Sequence, residues 1–142
     1  MREFSVPAYQ RLGEAVRVPL LVAEASDGCH YNTASFINQV RCEFVRTGAH
    51  FRGGITGAVR TAHLAESFGI RADVHGGGLP NIHLCMAIPN TTFYEALVAG
   101  NPVHCDKAVD AEGYARAPEE PGIGFGVDRK ALEAGAVAIV WL

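Results

Sequence analysis

Short apolar segments that alternate with helical segments limit most strongly how this 142-residue chain can fold. Three apolar segments, at 18–24, 42–48 and 70–75, have the length of strands. A helix at 5–16, for which Ser5 is the predicted N-cap, precedes the first of them. Strands that alternate with helices of these lengths predict a parallel sheet in an α/β fold.

Each predicted strand is followed by a predicted helix, at 33–40, 56–68 and 81–87. The middle helix carries apolar residues at 3.6-residue spacing, namely Ile55, Ala58, Val59, Ala62, Ala65 and Phe68. Gly69 is placed to end it. Residues 93–98 are expected to form a short extended or helical piece. The segment 99–142 has Pro, Gly and acidic residues without sustained periodicity, so it is expected to be an irregular tail.

Composition excludes several function classes. The chain has 12 basic and 15 acidic residues and no long basic run, so it lacks the charge pattern of a nucleic-acid-binding protein. Its apolar runs are far shorter than the ~20 residues of a membrane helix, and its N-terminus lacks a signal-peptide core. A cytoplasmic protein is the simplest interpretation. The four cysteines show no metal-ligand spacing, and free thiols are expected.

Two predicted strands end at a polar side chain. The strand at 18–24 ends at Glu24, and the strand at 70–75 ends at His75. In parallel α/β folds the residues at the carboxyl ends of strands line the ligand site. These two residues are therefore the first candidates for a functional site.

An ordered set of motifs carries a family resemblance. The motifs are RTGAHFRGGITG at 46–57, AHLAESFGI at 62–70, DVHGGG at 73–78, AIPNTTFYE at 87–95 and PGIGF at 121–125 followed by Asp128. Together they resemble the C-terminal barrel part of the mandelate racemase and muconate lactonizing enzyme group of the enolase superfamily. The resemblance extends over about residues 6–128.

The resemblance implies the C-terminal part of a (β/α) TIM-type barrel. One partial-barrel domain is expected over residues 1–142, with about three βα units in 5–98 and the irregular tail in 99–142. The chemistry implied is removal of a proton alpha to a carboxylate, with Mg²⁺ stabilising the enediolate, as in acid-sugar dehydratases and racemases.

Five residues are candidate site residues, and for Glu24, His75 and Glu95 the resemblance implies the role. Glu24 matches a metal-ligand carboxylate, and His75 matches the histidine that exchanges protons with the substrate. Glu95, Arg46 and His50 are the candidate substrate-binding residues. The alternatives are ordinary: a solvated glutamate at a strand end, a loop histidine bound to backbone, and a surface glutamate.

The sequence departs from the family pattern at two places. Gly48 stands where an aspartate orients the histidine in the family, and His50 and Arg52 are the polar residues nearby. The resemblance places the other two metal carboxylates and the Lys-x-Lys motif upstream of residue 1. The only lysines in this sequence, Lys107 and Lys130, lie in the tail, where they are expected to be solvated charges. Mg²⁺ is therefore not expected to bind to this chain alone.

Three functions stay open from the sequence. The chain is expected to be an inactive fragment of a Mg²⁺-dependent enzyme; the alternatives are an active subunit complemented by another chain and a non-catalytic module that binds an acid sugar or another small carboxylate. A homo-oligomer is expected, because the apolar segment 18–23 would lie at an open sheet edge. The apolar end 135–142 is a candidate for an added strand.

Overall fold

The computed structural model describes residues 5–24, 28–50, 53–95, 110–124, 129–138 and 140. Within them the elements run in the order α1 (Val6–Ala15), β1 (Leu21–Val22), α2 (Cys29–Gln39), β2 (Phe44–Thr47), α3 (Gly54–Ser67), β3 (Arg71–Val74), α4 (Leu79–Ala87) and α5 (Arg129–Gly135). The predicted order of one helix followed by three strand–helix units is confirmed.

The three strands form one parallel sheet in the order β1-β2-β3. Val45 of β2 is in register with Val22 of β1 and with Ala72 of β3. Beyond β3, Val74 forms an isolated parallel bridge with Tyr94. The sheet therefore grows by one neighbour with each unit, in sequence order and in one direction, as in a segment of a (β/α) barrel.

The first strand is shorter than predicted. It covers Leu21–Val22 rather than 18–24, and Val18 is 69% exposed. Pro19 explains the late start, because proline has no N–H to give to a ladder. Pairing with the second strand begins at Leu20, whose carbonyl accepts hydrogen bonds from the amides of Glu43 and Phe44.

The core lies between the sheet and the helices. Alternate residues of β2 and β3 are buried, and α3 packs with its small residues Ala58, Ala62 and Ala65, each 0% exposed. Small side chains let this helix lie close to the sheet. Ile55, in the first turn of α3, and Phe68, directly after its last residue, share the 3.6-residue spacing but are 45% and 51% exposed.

The helix boundaries differ from the predicted ones mainly at their starts. The second helix begins at Cys29 and the fourth at Leu79, each a few residues earlier than expected. Pro80 stands in the first turn of α4, where its missing N–H costs nothing. Gly69 has a φ of +68° and ends the third helix as predicted. Ser5 precedes α1 without a capping hydrogen bond from its side chain.

The tail is less irregular than predicted, since it contains the short helix α5.

Asp110 stabilises a turn in an earlier part of the tail. Its carboxylate accepts hydrogen bonds from the amide of Tyr114 at 2.9 Å, from the amide of Glu112 at 3.0 Å and from Nε of Arg116 at 2.7 Å. The Tyr114 amide is the main cause of a pKa of Asp110 below its usual range.

Cys42 and Cys85 are free thiols. In the part of the chain that the structure describes, no helix has both the length and the apolar character needed to span a membrane. The candidate or motif residues Arg52, Lys107 and Asp128 lie outside the described residues, as do Cys105, 96–98 and 141–142.

Candidate functional site at the strand ends

Four of the five candidate residues come together at the carboxyl ends of the strands. Glu24 follows β1, Arg46 lies in β2, His75 directly follows β3, and Glu95 follows the Tyr94 bridge. We refer to Glu24, Arg46, His75 and Glu95 as the strand-end cluster. The parallel register places these positions at one edge of the sheet although they span 71 positions of the sequence.

One oxygen of Glu95 is central to the cluster. Its Oε2 lies 2.7 Å from Nη1 of Arg46 and 3.3 Å from Nδ1 of His75. The same Nδ1 lies 3.4 Å from Oε1 of Glu24. The imidazole therefore faces two carboxylates, and a guanidinium neutralises one of them.

The cluster is only partly covered. The side chains of Arg46, His75 and Glu95 are 20%, 25% and 32% exposed, and that of Glu24 is 45% exposed. Partial burial strengthens the ion pairs relative to water while a small molecule can still reach the groups. Such an arrangement suits proton transfer to or from a bound carboxylic acid.

The backbone before Glu24 is unusual. Ala23 has a φ of +65°, and it is the only residue other than glycine with positive φ among the described residues. The left-handed region costs an L-residue about 1–2 kcal/mol. Ala23 is also buried, so packing holds it in this conformation. The turn ends β1 and directs the chain to Glu24 at the site, where such strain is most often found.

His50 is not part of the cluster. It is exposed in the loop after β2, and its Nε2 lies 3.9 Å from where a Cβ on Gly78 would stand. Among the described residues it forms no hydrogen bond or ion pair with the four clustered side chains. His50 therefore lies beside the glycine-rich loop after β3, at the rim of the site.

The structure gives a steric reason for the glycine at position 48. A Cβ there would lie 3.0 Å from the carbonyl oxygen of His75 and 3.7 Å from Oδ1 of Asn81. The family's aspartate does not fit in this backbone without a local shift. The polar side chains that lie nearest to Nδ1 of His75 in the described residues are those of Glu95, at 3.3 Å, and Glu24, at 3.4 Å.

Sequence reasoning missed Asn81. This residue is 0% exposed in the first turn of α4. Its Nδ2 donates to the carbonyl oxygens of His75 and Gly76, both at 2.9 Å, and its Oδ1 accepts from the amide of Ala49 at 2.9 Å. Asn81 therefore joins the loop after β2 to the loop that carries His75. The available signal was a polar residue that follows a glycine-rich loop and a Leu-Pro helix start.

A magnesium ion prefers several oxygen ligands in octahedral geometry. The described residues contain no group of three histidine, cysteine, aspartate or glutamate side chains placed to hold a metal. Glu24 offers one exposed carboxylate and Glu95 is engaged by Arg46. The residues described here therefore do not fit a complete Mg²⁺ site.

Solved structures share this fold. D-glucarate dehydratase from Agrobacterium tumefaciens, in complex with magnesium, is 30% identical and aligns with a TM-score of 0.82 over 94% of this chain and 38% of its own. A mandelate racemase/muconate lactonizing enzyme from Jannaschia sp. CCS1 aligns with a TM-score of 0.73 over 96% of this chain and 36% of its own, at 20% identity. The second likeness concerns the fold alone.

Sequence relatives agree with the structural ones. A D-galactonate dehydratase family member from Enterocloster bolteae is 30% identical over 86% of this chain and 32% of that protein. The chain thus spans about a third of the length of these relatives. The family model for enolase C-terminal domain-like proteins matches residues 1–131. The chain therefore belongs to the enolase C-terminal domain-like family.

Proposed function

We propose that this chain carries the histidine side of an active site that dehydrates or racemises sugar acids. The supporting observation is the strand-end cluster, in which His75 lies within 3.4 Å of two carboxylates and beside an Arg46–Glu95 ion pair. One 30%-identical relative is named D-glucarate dehydratase, and another is named a D-galactonate dehydratase family member. The substrate class is then a hydroxylated carboxylate such as galactonate or glucarate.

The reaction is the loss of one water. The proton on the carbon alpha to the substrate carboxylate passes to a base, and the neighbouring hydroxyl leaves with a proton as water. The resulting enol becomes a 2-keto acid when its carbon takes up a proton and its hydroxyl loses one. In this scheme the imidazole of His75 gives the proton to the leaving hydroxyl; in a racemase it would take the alpha proton instead.

The other site residues bind and orient. Arg46 carries the positive charge that a substrate carboxylate needs, and its guanidinium lies in β2, a fixed strand. His50, in the loop after β2 at the rim of the site, is a further proposed substrate-binding residue. Glu24 is the proposed Mg²⁺ ligand of this chain, and the remaining oxygen ligands must come from outside the described residues.

The isolated 142-residue chain is therefore proposed to bind Mg²⁺ weakly and to turn over no substrate. Titration calorimetry of Mg²⁺ into the purified chain tests this, and micromolar affinity would contradict it. The alternative function, an active subunit that another chain complements, is tested by adding the other part of a barrel as a second polypeptide. Water loss is measured as 2-keto acid formed from galactonate and glucarate, and its appearance would favour the active-subunit function.

The matched variants for this assay are H75N and H63N. His63 is an exposed histidine on α3. H75N should abolish product formation in the complemented protein, whereas H63N should leave it unchanged. Equal activity of H75N and the wild type would overturn the proposed function.

We also propose that the chain associates with further copies of itself. Within the described residues β1 has a partner strand on one side only, and Leu21 is 37% exposed at that edge. Light scattering at micromolar concentration tests this. A well-folded monomer would contradict it, and L21K should shift a real oligomer toward monomer.

A further inference from the structure

We propose that two copies of this chain associate through the face of the sheet that points away from α3, and that Arg71 and Asp73 of each copy pair with Asp73 and Arg71 of the other. The inference rests on the proposed self-association and names its surface, which is a face of the sheet and not the free edge of β1. Five residues form this face, and we refer to them as the open face: Leu21, Phe44, Arg71, Asp73 and Phe93.

The register of the strands places these side chains on one side of the sheet. Alternate residues of β2 and β3 are buried on the side of α3, so Phe44, Arg71 and Asp73 point to the opposite side. Leu21 is in register with Phe44, which is in register with Arg71. The bridge between β3 and Tyr94 brings the preceding residue, Phe93, beside Asp73.

Apolar surface is uncovered on the open face. Phe93 is 71% exposed and Leu21 is 37% exposed. The guanidinium carbon of Arg71 lies 5.4 Å from the ring centre of Phe44 and 5.6 Å from that of Phe93, so a cation is set among aromatic rings. Exposed aromatic side chains next to an arginine are typical of the central part of a protein–protein interface.

The charges of the open face are only partly satisfied within one copy. Nη2 of Arg71 lies 3.5 Å from Oδ1 of Asp73, which is longer than a charge-assisted hydrogen bond. The two side chains are 38% and 26% exposed, and among the described residues neither has another ion-pair partner. A guanidinium has several N–H donors and a carboxylate accepts at both oxygens, so each side chain can take a second partner.

Opposite charges that lie side by side make the open face complementary to itself. In a two-fold dimer the same patch meets its own copy, so an axis between the two side chains brings Arg71 of each copy to Asp73 of the other. The charges then alternate in sign, and the surrounding rings exclude water from them, which strengthens their attraction. A different polypeptide would have to present a matching pair of charges, whereas a second copy of this chain always does.

Charge reversal tests the pairing in the full chain by sedimentation equilibrium. R71D and D73R each leave only like charges between two copies, so each should raise the dissociation constant of the dimer at least about tenfold. An equimolar mixture of R71D and D73R should form the dimer again, because one copy then presents only negative and the other only positive side chains.

R60D and E66R are the matched controls. Arg60 and Glu66 are exposed on α3, on the other side of the sheet, and the two variants change the charge by the same amounts. Both should leave the dissociation constant unchanged.

F93S keeps the test open if charge reversal unfolds the chain, because an exposed side chain contributes little to folding. It should weaken the dimer, whereas Y31S, which alters a tyrosine of α2 that is 73% exposed, should not. A wild type that is monomeric at every concentration would overturn both this inference and the proposed self-association, and would leave the open face to strands of another polypeptide. An oligomer that R71D, D73R and F93S all leave intact would overturn the inference alone, and association through the edge of β1 would stand. Failure of the mixture to form a dimer would overturn the pairing of Arg71 with Asp73. These readouts do not depend on turnover, so an inactive chain would refute only the proposed catalytic function.

Discussion

The side-chain amide of Asn81 donates a hydrogen bond to the carbonyl oxygen of His75 at 2.9 Å. The same side chain also serves Gly76 and Ala49, so one buried residue of α4 satisfies three backbone groups in two loops. Buried backbone groups that lose a partner cost free energy because water cannot replace it. The position of His75 therefore depends on a residue that itself has no part in the proposed proton transfer.

Replacing Asn81 by alanine should lower the free energy of unfolding by about 3 kcal/mol, because three backbone groups, one buried and two partly buried, lose a partner. Urea denaturation measures this. N90A is the matched control, since Nδ2 of Asn90 also donates to two carbonyl oxygens, those of Ala62 and Ile70. Both variants should be destabilised, but only N81A should lose hydrogen-exchange protection of the Ala49 amide. Equal protection of that amide in the two variants would show that Asn81 does not hold the loop.

Alanine at position 48 should destabilise the fold by about 1–3 kcal/mol, the usual cost of overpacking. The reason is the 3.0 Å approach of the new Cβ to the carbonyl oxygen of His75. G135A is the control, because nothing lies within 4 Å of a Cβ at that position. Thermal unfolding of both variants is the measurement, and a G48A protein as stable as the wild type would refute the steric explanation.

Removing the hydroxyl of Tyr94 should cost about 1 kcal/mol, the net worth of an ordinary hydrogen bond. The phenol oxygen accepts a hydrogen bond from the amide of Gly78 at 2.8 Å, next to the start of α4. Y94F is compared with Y114F by urea denaturation, because Tyr114 is 64% exposed. If Y114F lost more stability than Y94F, the contact to Gly78 would not be the cause.

Burial raises the pKa of the Cys85 thiol from 9.0 to about 11. At pH 8 the thiolate fraction is therefore about a hundredfold lower than in an exposed cysteine, and alkylation follows the thiolate. Iodoacetamide should modify Cys85 slowly in the native chain and quickly in urea. Similar rates in both states would contradict the burial of this thiol.

The same shift makes stability depend on pH. A thiol whose pKa is higher in the folded state binds its proton more tightly there, so its contribution is complete below pH 9.0 and is lost as the pH rises to about 11. The wild type should thus lose stability across this window relative to C85A. Cys42, whose pKa burial also raises, adds to the loss in both proteins. Parallel pH profiles of wild type and C85A would contradict the assignment to Cys85.

Local pattern was enough to predict the order of the elements and two of the strand ends. The spacing of apolar residues indicates which segments are strands and which are helices. Glu24 and His75 lie where the predicted buried strands end. Pattern was not enough for the exposed ends of α3. Ile55 and Phe68 have the right spacing, but whether a sheet covers them depends on where the sheet ends.

Which residues contact one another within the site is determined by the tertiary structure. Glu95 reaches His75 because the chain after α4 returns beside β3 at Tyr94, and no spacing rule predicts that distance. Asn81 was missed for the same reason, since its three partners lie in two different loops. The glycine at position 48 could be noticed in the sequence, but its cause is a backbone oxygen 27 positions away.

The hydrogen bond from the Ala49 amide to Asn81 limits where segments of this barrel can be joined to segments of another. A crossover between α3 and β3 would here separate Ala49 from Asn81, and the incoming unit would need its own side chain to meet that amide. The second and third strand–helix units are therefore inherited together, as one exchangeable block, unless the donor brings an asparagine at the same place.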